Sequence, residues 1–422
     1  MINIKKLLNE SAASEWQINN TKTESYELFF VGNKLETVRA TDTNAVTVTV
    51  YRDHDGMKGH ASFKLYASTT EDEARAKIES AYEKAAFISN EHYSLPALET
   101  LDGVIESNFA DHEPQAVASE IAEAVFSSDM LDQGTVNALE IFINKYTVSV
   151  QNSYGLDKRA IKYGAMIEAI PTWNEGESVE LYKAIYTSEF DFESIKSEIE
   201  AKMREVRDRG YAKAPETKLN CPVVLPAEEL SQLFGELAYT LHYSTVYTHQ
   251  NPFSEGDMIQ KSPKGDRISL TMKGQLKGST ASALFDSDGT NLTDTKIIEN
   301  GKACAYFGGN RFAQYLNKPA TGNLECYEVE VGTLTDEALA SAPYFECASM
   351  SGLQVDIFND YIGGEVRLAY YFDGEKKVPV TGISISGKLS DALNSIKLSN
   401  KSAQSGRYLG PKLALIEGVE IV

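Results

Sequence analysis

The sequence predicts an α+β protein in two parts. The N-terminal half is built from repeated antiparallel meander-plus-helix units; the C-terminal half is β-rich, with a curved antiparallel sheet or open barrel and a central helix. Three observations carry this. Val46, Val48 and Val50 alternate with Thr47 and Thr49, the period of a half-buried strand. Amphipathic helical stretches follow two separate groups of strand-like runs. Beyond residue 250, short strand-like runs recur between glycines.

Taken in order, a short helix is expected over 4–8, then strands over 25–31, 34–40 and 45–51. Gly32-Asn33 and Asp53-His54-Asp55-Gly56 supply turn chemistry between them. A strand over 58–65 completes the first meander. Thr70 and Glu73 form a capping box, and the helix behind it turns Ala74, Ile78, Ala81, Ala85 and Ile88 inward. A second helix starts near Pro114, with Val117, Ile121 and Val125 in register. Strands over 138–150, 160–170 and 177–186 then precede a helix over 191–209, whose inward face is Phe192, Ile195, Ile199, Met203 and Val206. Meander-then-helix thus occurs twice, which reads as an internal duplication.

Residues 210–217, with Pro215, read as a linker. Cys221-Pro222-Val223-Val224-Leu225 is a short apolar run of the buried-strand type. Pro226, Glu228 and Glu229 are helix-start signals, and Leu230, Leu233, Phe234, Leu237 and Leu241 give the following helix one apolar face. Further strands are expected over 268–272, 302–307, 326–331, 345–350, 354–361, 365–372, 378–386 and 412–416.

The chain has 422 residues, more than one core usually spans, and the expected domains are 1–215 and 216–422. A net charge of −21 repels phosphate backbones, so direct nucleic-acid binding is not expected. No run approaches the length of a membrane span, and the first residues lack a signal-peptide pattern. The four cysteines, Cys221, Cys304, Cys326 and Cys347, form no C-x-x-C and read as free thiols of a reducing, cytoplasmic compartment.

A family resemblance shows at the central strand and helix. Nine residues after Val223-Val224-Leu225 stands Gly235-Glu236-Leu237-Ala238-Tyr239-Thr240. This resembles the TldD/PmbA (TldE) family, whose members also carry the label modulator of DNA gyrase and whose metalloprotease branch has His-Glu-x-x-x-His here. Gln151-Asn152-Ser153-Tyr154-Gly155 is similar to the family's Asn-Ser-x-Gly turn. Phe285-Asp286-Ser287-Asp288-Gly289-Thr290 is similar to its Phe-Asp-x-Glu-Gly, with Asp288 in place of glutamate, and Thr321-Gly322-Asn323 to its Thr-Gly-Asn turn. Gly364-Glu365 through Pro379-Val380 to Ile385-Ser386-Gly387 resembles the PmbA-type ending.

The resemblance implies a chain of the branch without zinc. Gly235 and Thr240 stand at the histidine positions, and the cysteine that the zinc enzyme takes from near its C-terminus has no counterpart beyond Cys347. It therefore implies a TldE/PmbA-type subunit, without cofactor of its own, paired with a zinc-bearing TldD-type metallopeptidase subunit that acts on peptides or unfolded proteins in the cytosol. Glu236 would be the general base only beside a metal-bound water; otherwise it is a solvated helix glutamate. Arg311 and Arg407, in Gly-rich loops, are candidate contacts to substrate or partner.

The residues offer little independent catalytic apparatus. His242 and His249, two turns apart on one expected helix, are too distant for a shared zinc. His54 and His60 with Asp53 and Asp55 could hold a cation, but read better as a charged turn. Phe307-Gly308-Gly309-Asn310-Arg311 could cradle an anion, but reads better as a hairpin turn. Two rivals therefore stand: a homodimeric peptide-binding or scaffold protein, and an enzyme with its own metal at His54, His60 and Asp55.

Overall fold

The computed structural model describes residues 2–128, 133–176 and 178–422. Residues 15–187 form a nine-stranded sheet. In space it runs Asn90–Glu91, Met57–Leu65, Lys34–His54, Glu15–Val31, Gly134–Asn152, Asp157–Trp173 and Thr100–Val104. Val179–Glu180 and Lys183–Thr187 also pair with Asp157–Trp173. All these pairs are antiparallel except Thr100–Val104 with Asp157–Trp173. Two meanders thus meet along the pair Glu15–Val31 and Gly134–Asn152, so the duplicated order becomes one continuous sheet.

Helix Glu71–Ala85 covers the first meander, with Ala74, Ile78, Ala81 and Ala85 buried and the Thr70/Glu73 capping box formed. Helices Pro114–Phe126 and Phe192–Tyr211 cover the second, burying Val117, Ile121, Val125, Ile195, Ile199, Met203 and Val206. Each apolar stripe removes the sheet's inner face from water.

In the C-terminal half, strand Val223–Pro226 lies inside a nine-stranded sheet between Leu413–Ile416 and Tyr344–Met350. A six-stranded sheet stands beside it, containing Leu270–Lys273, Cys326–Val329 and Tyr408–Pro411. The central helix Ala227–Tyr239 packs against strands of both sheets. Its Leu230, Leu233, Phe234 and Leu237 are fully buried, so the helix is the spine of this core. Among the described residues, no helix is long and apolar enough to cross a membrane.

Several expected boundaries move. The expected strands 34–40 and 45–51 are one strand, Lys34–His54. Its polar middle is held by cross-strand pairing, Thr41 with Ser25 through Asn44 with Lys22, and by an ion pair of 3.1 Å between Lys22 and Asp42. Ile88 lies past its helix and is 43 % exposed. The expected strand 177–186 breaks into Val179–Glu180 and Lys183–Thr187; Glu177 lies outside the described residues. The strand expected over 302–307 stops at Ala303. That over 354–361 stops at Asp356, whose carboxylate accepts from the backbone N–H groups of Phe358 and Asn359 at 3.1 and 2.9 Å and turns the chain. That over 378–386 is interrupted at Gly382, φ +69°.

Candidate functional site

A cavity of about 1500 Å³ opens between the two halves of the chain. Its floor is the polar face of the central helix. Glu228, Ser231, Gln232, Gly235, Glu236 and Tyr239 recur at helical spacing opposite the buried leucines and all line it. One wall is the strand Lys183–Thr187 with the start of helix Phe192–Tyr211, which Asp191 caps by accepting from Ser194 N–H at 2.9 Å. The other is Tyr327, the loop at Lys277-Gly278 and the tip of the hairpin Ser402–Ser405/Tyr408–Pro411, which carries Gly406 and Arg407.

Gly235 is where a side chain is missing for a reason. A Cβ there would come 3.1 Å from Tyr327 Oη. That hydroxyl is bound to Ser231, with its Oγ at 3.0 Å, and Tyr327 donates to the Ser231 carbonyl. Tyr327 is 3 % exposed and packs on Tyr408, which stacks on Phe234 with ring centroids 6.2 Å apart. Burial pushes the Tyr327 phenol up, while its bond to Ser231 and the Arg407 guanidinium pull it down and the Glu236 carboxylate adds to the rise. Glu236 and Arg407 are both exposed to the cleft.

Thr240 stands on the far side of this face. It is buried, and its hydroxyl donates to Leu237 O at 2.7 Å. Cys347 is fully buried in the core, away from the cleft. Zinc needs imidazole, thiolate or carboxylate donors converging within about 2.0–2.3 Å. A glycine under a tyrosine, a threonine spent on its own helix and a lone glutamate do not fit it. Among the described residues, no three His, Cys, Asp or Glu side chains gather as a metal would require.

The other singled-out residues fall elsewhere. His242 and His249 do not share the central helix, which ends at Tyr239. His242 caps a separate helix, Tyr243–Tyr247: its Nδ1 accepts from Ser244 N–H at 3.2 Å and its Nε2 lies 3.0 Å from Asn323 Oδ1. Burial lowers its pKa. His54 Nε2 lies 2.9 Å from Ile88 O, and His60 Nδ1 lies 3.4 Å from Asn90 Nδ2. The run 307–311 is not a hairpin but leads into helix Asn310–Tyr315. Its N–H groups are already satisfied: Gly308 donates to Thr321 Oγ1 at 2.9 Å and Gly309 to Asn323 Oδ1 at 3.0 Å.

Arg311 lies outside the cleft, in the seam between the halves. It donates to Asn90 Oδ1 at 2.6 Å and sits over the rings of Tyr93 and Tyr315. The motif loops meet at the same seam. Asp286 Oδ1 accepts from the N–H groups of Asp288 and Thr290 at 2.9 and 3.0 Å, and its Oδ2 accepts from Asn323 N–H at 3.0 Å. Asn152 Oδ1 accepts from Tyr154 N–H at 2.9 Å. A Cβ at Gly289, φ +82°, would sit 2.3 Å from Leu156 Cδ2 of the other half, so only glycine lets the loops close.

Sequence reasoning missed Tyr327 and Lys277, and gave the strand it expected over 177–186 no part in the site. The polar spacing of the central helix was a usable signal for the floor. Tyr327 reaches Gly235 only through strand pairing distant in sequence, which no local pattern reports.

Residues 218–422 match the model of the PmbA/TldA metallopeptidase C-terminal domain. No curated protein sequence matches the chain. Among solved structures, TldE from Thermococcus kodakarensis is similar over 99 % of this chain and 98 % of its own, with a TM-score of 0.80 and 16 % identity. A Thermotoga maritima protein described as a modulator of a DNA gyrase gives 0.77, at 15 % identity over 99 % of each chain. A Bacteroides thetaiotaomicron protein described as a modulator of DNA gyrase gives 0.78, at 14 % identity over 99 % of this chain and 97 % of its own.

Proposed function

We propose that this chain, whose residues 218–422 match the PmbA/TldA metallopeptidase C-terminal domain, is the non-metal, TldE/PmbA-type subunit of a cytosolic metallopeptidase pair acting on peptides or unfolded proteins. A TldD-type subunit supplies the zinc site. This chain supplies a cleft wall and a peptide-binding edge.

The observation that carries the reading is the central helix. Its polar face floors the cleft, yet Gly235 and Thr240 offer no metal donor there and Tyr327 closes over the first of these positions. Glu236 keeps its carboxylate in the cleft, but a general base needs an activated water to act on. The edge strand supports a peptide ligand. Lys183–Thr187 pairs on one side with Asp157–Trp173 and, among the described residues, with no strand on the other, while all five of its residues line the cavity. An extended peptide can add to such an edge through main-chain hydrogen bonds, which reads backbone rather than sequence. The outer edge of residues 34–45 is likewise without a strand partner among the described residues, and suits association with another chain.

The test is to purify the tagged chain from cells that also express a His-Glu-x-x-x-His paralogue and to assay peptide hydrolysis. Co-purification, with hydrolysis in the mixture and none from this chain alone, is expected. A self-paired chain that ignores the paralogue would replace this reading with that of a homodimeric peptide-binding or scaffold protein.

A further inference from the structure

We propose that the cleft holds its peptide by a carboxylate, received by Arg407 and Lys277 at the Thr187 end of the strand Lys183–Thr187. This deepens the reading of the cleft as a peptide site and rests on it.

Four cations line the cleft, and they differ. On the N-terminal wall each is neutralised, Lys183 by Glu198 at 3.1 Å and Lys202 by Glu205 at 2.5 Å. On the facing wall Lys277 and Arg407 are exposed and, among the described residues, neither meets a carboxylate at ion-pairing distance. Glu236 and Glu325 line the same cavity without pairing to either. The cleft is lined by six carboxylates in all, Glu189, Asp191, Glu198, Glu228, Glu236 and Glu325, yet Lys277 and Arg407 are held by none of them, so a carboxylate brought to that wall finds two cations to receive it.

The backbone joins these cations to the peptide edge. Ser188 N–H donates to Gly278 O at 3.0 Å, so the strand Lys183–Thr187 ends against the Lys277-Gly278 loop. Gly278, at φ +80°, faces the Gln404 amide, 3.3 Å from where a Cβ would stand, which brings the Arg407 hairpin to the same corner. Gly406, at φ +56°, makes the turn that presents Arg407, and Arg407 O accepts from Tyr327 N–H at 2.9 Å, fixing its base. A peptide paired along the strand advances about 3.3 Å per residue and reaches this corner at its end. There the Arg407 fork can take a carboxylate through two hydrogen bonds, with Lys277 as a second point charge. A C-terminal carboxylate requires the peptide to run parallel to the strand; an Asp or Glu side chain leaves its direction free.

The experiment uses the full chain and three eight-residue Thr/Val/Ala peptides carrying an uncharged fluorophore at the N-terminus. One ends in a free carboxylate, one in an amide, and one in an amide after a glutamate. Binding is read by anisotropy at low and high salt. The free acid, the glutamate peptide or both should bind about tenfold or more tighter than the plain amide, with the gap shrinking in salt. Whichever binds tighter names the source of the acid. Arg407→Gln and Lys277→Gln should each narrow the gap, and Arg407→Lys should restore part of it, in variants whose melting temperature matches the parent. Equal binding of all three peptides overturns the carboxylate anchor and leaves the peptide cleft standing. Binding of none overturns both.

Discussion

Gly235 and Tyr327 together decide what the central helix can do. The glycine leaves a gap one side chain wide, and the tyrosine hydroxyl, tied to Ser231, closes it. A metal-binding histidine therefore cannot be restored at this position by a point change. Gly235→His must push Tyr327 out of a packed stack with Tyr408 and Phe234. Overpacking of this kind costs about 1–3 kcal/mol. Chemical denaturation should show a loss of that size, and metal analysis should show no zinc gained even with Thr240→His added. Stoichiometric zinc in the double variant would mean that Tyr327 yields freely and that the site is only dormant. None of this was legible in the run 235–240 alone. The sequence shows the missing donors, but the residue that fills their place comes from a strand more than eighty positions away.

At the scale of elements, the helices were the most legible and the β-rich half the least. Helical spacing over 71–85 and 192–211 marks long one-sided faces, and the structure buries those faces except at their ends, where Ile88 is exposed and Phe192 half-buried. The short strands of the C-terminal half carry too few residues for a period to show. Strands Thr295–Glu299 and Ser402–Ser405 were not foreseen, because their pairing partners rather than their own pattern make them strands. The central helix also carries a titration that its apolar pattern hides. Glu229 is 8 % exposed, and burial, helped by neighbouring Glu228, pushes its carboxyl up to about 7, with Lys202 opposing. The ordinary value is 4.5, so between about 4.5 and 7 the folded chain holds more protons than the unfolded one. Stability contributed at this residue is therefore present at low pH and lost as pH rises through that window. Glu229→Gln should flatten the decline and gain on the order of 1–3 kcal/mol at pH 8 relative to pH 5. Urea midpoints at the two pH values check this; an unchanged slope would contradict it.

At the scale of the whole molecule, the seam between the halves is more than a linker. Lys158 is fully buried there, with Glu99 at 2.8 Å from its own half and Asn291 Oδ1 at 2.6 Å from the other. Leu156 and Val150 pack on Phe285 across the same line. Lys158→Met keeps the stem but removes the ammonium that both halves share. It should destabilise the chain by about 1–3 kcal/mol and split one unfolding transition toward two. Calorimetry reads both effects; a single unshifted transition would show that the halves do not depend on this contact. The motif loops at Asn152, Asp286 and Asn323 were legible as turns, but their meeting at one seam was not, since turn chemistry says nothing about which turns touch. The cleft beside that seam depends on both halves, and in the proposed pair it is one wall of an active site whose zinc the partner holds. Its most direct test is the zinc content and peptide-hydrolysing rate of the purified chain by itself. Substoichiometric zinc and no hydrolysis are expected, even with zinc supplied in excess; one tightly held zinc per chain together with peptide cleavage abolished by Glu236→Gln would contradict it.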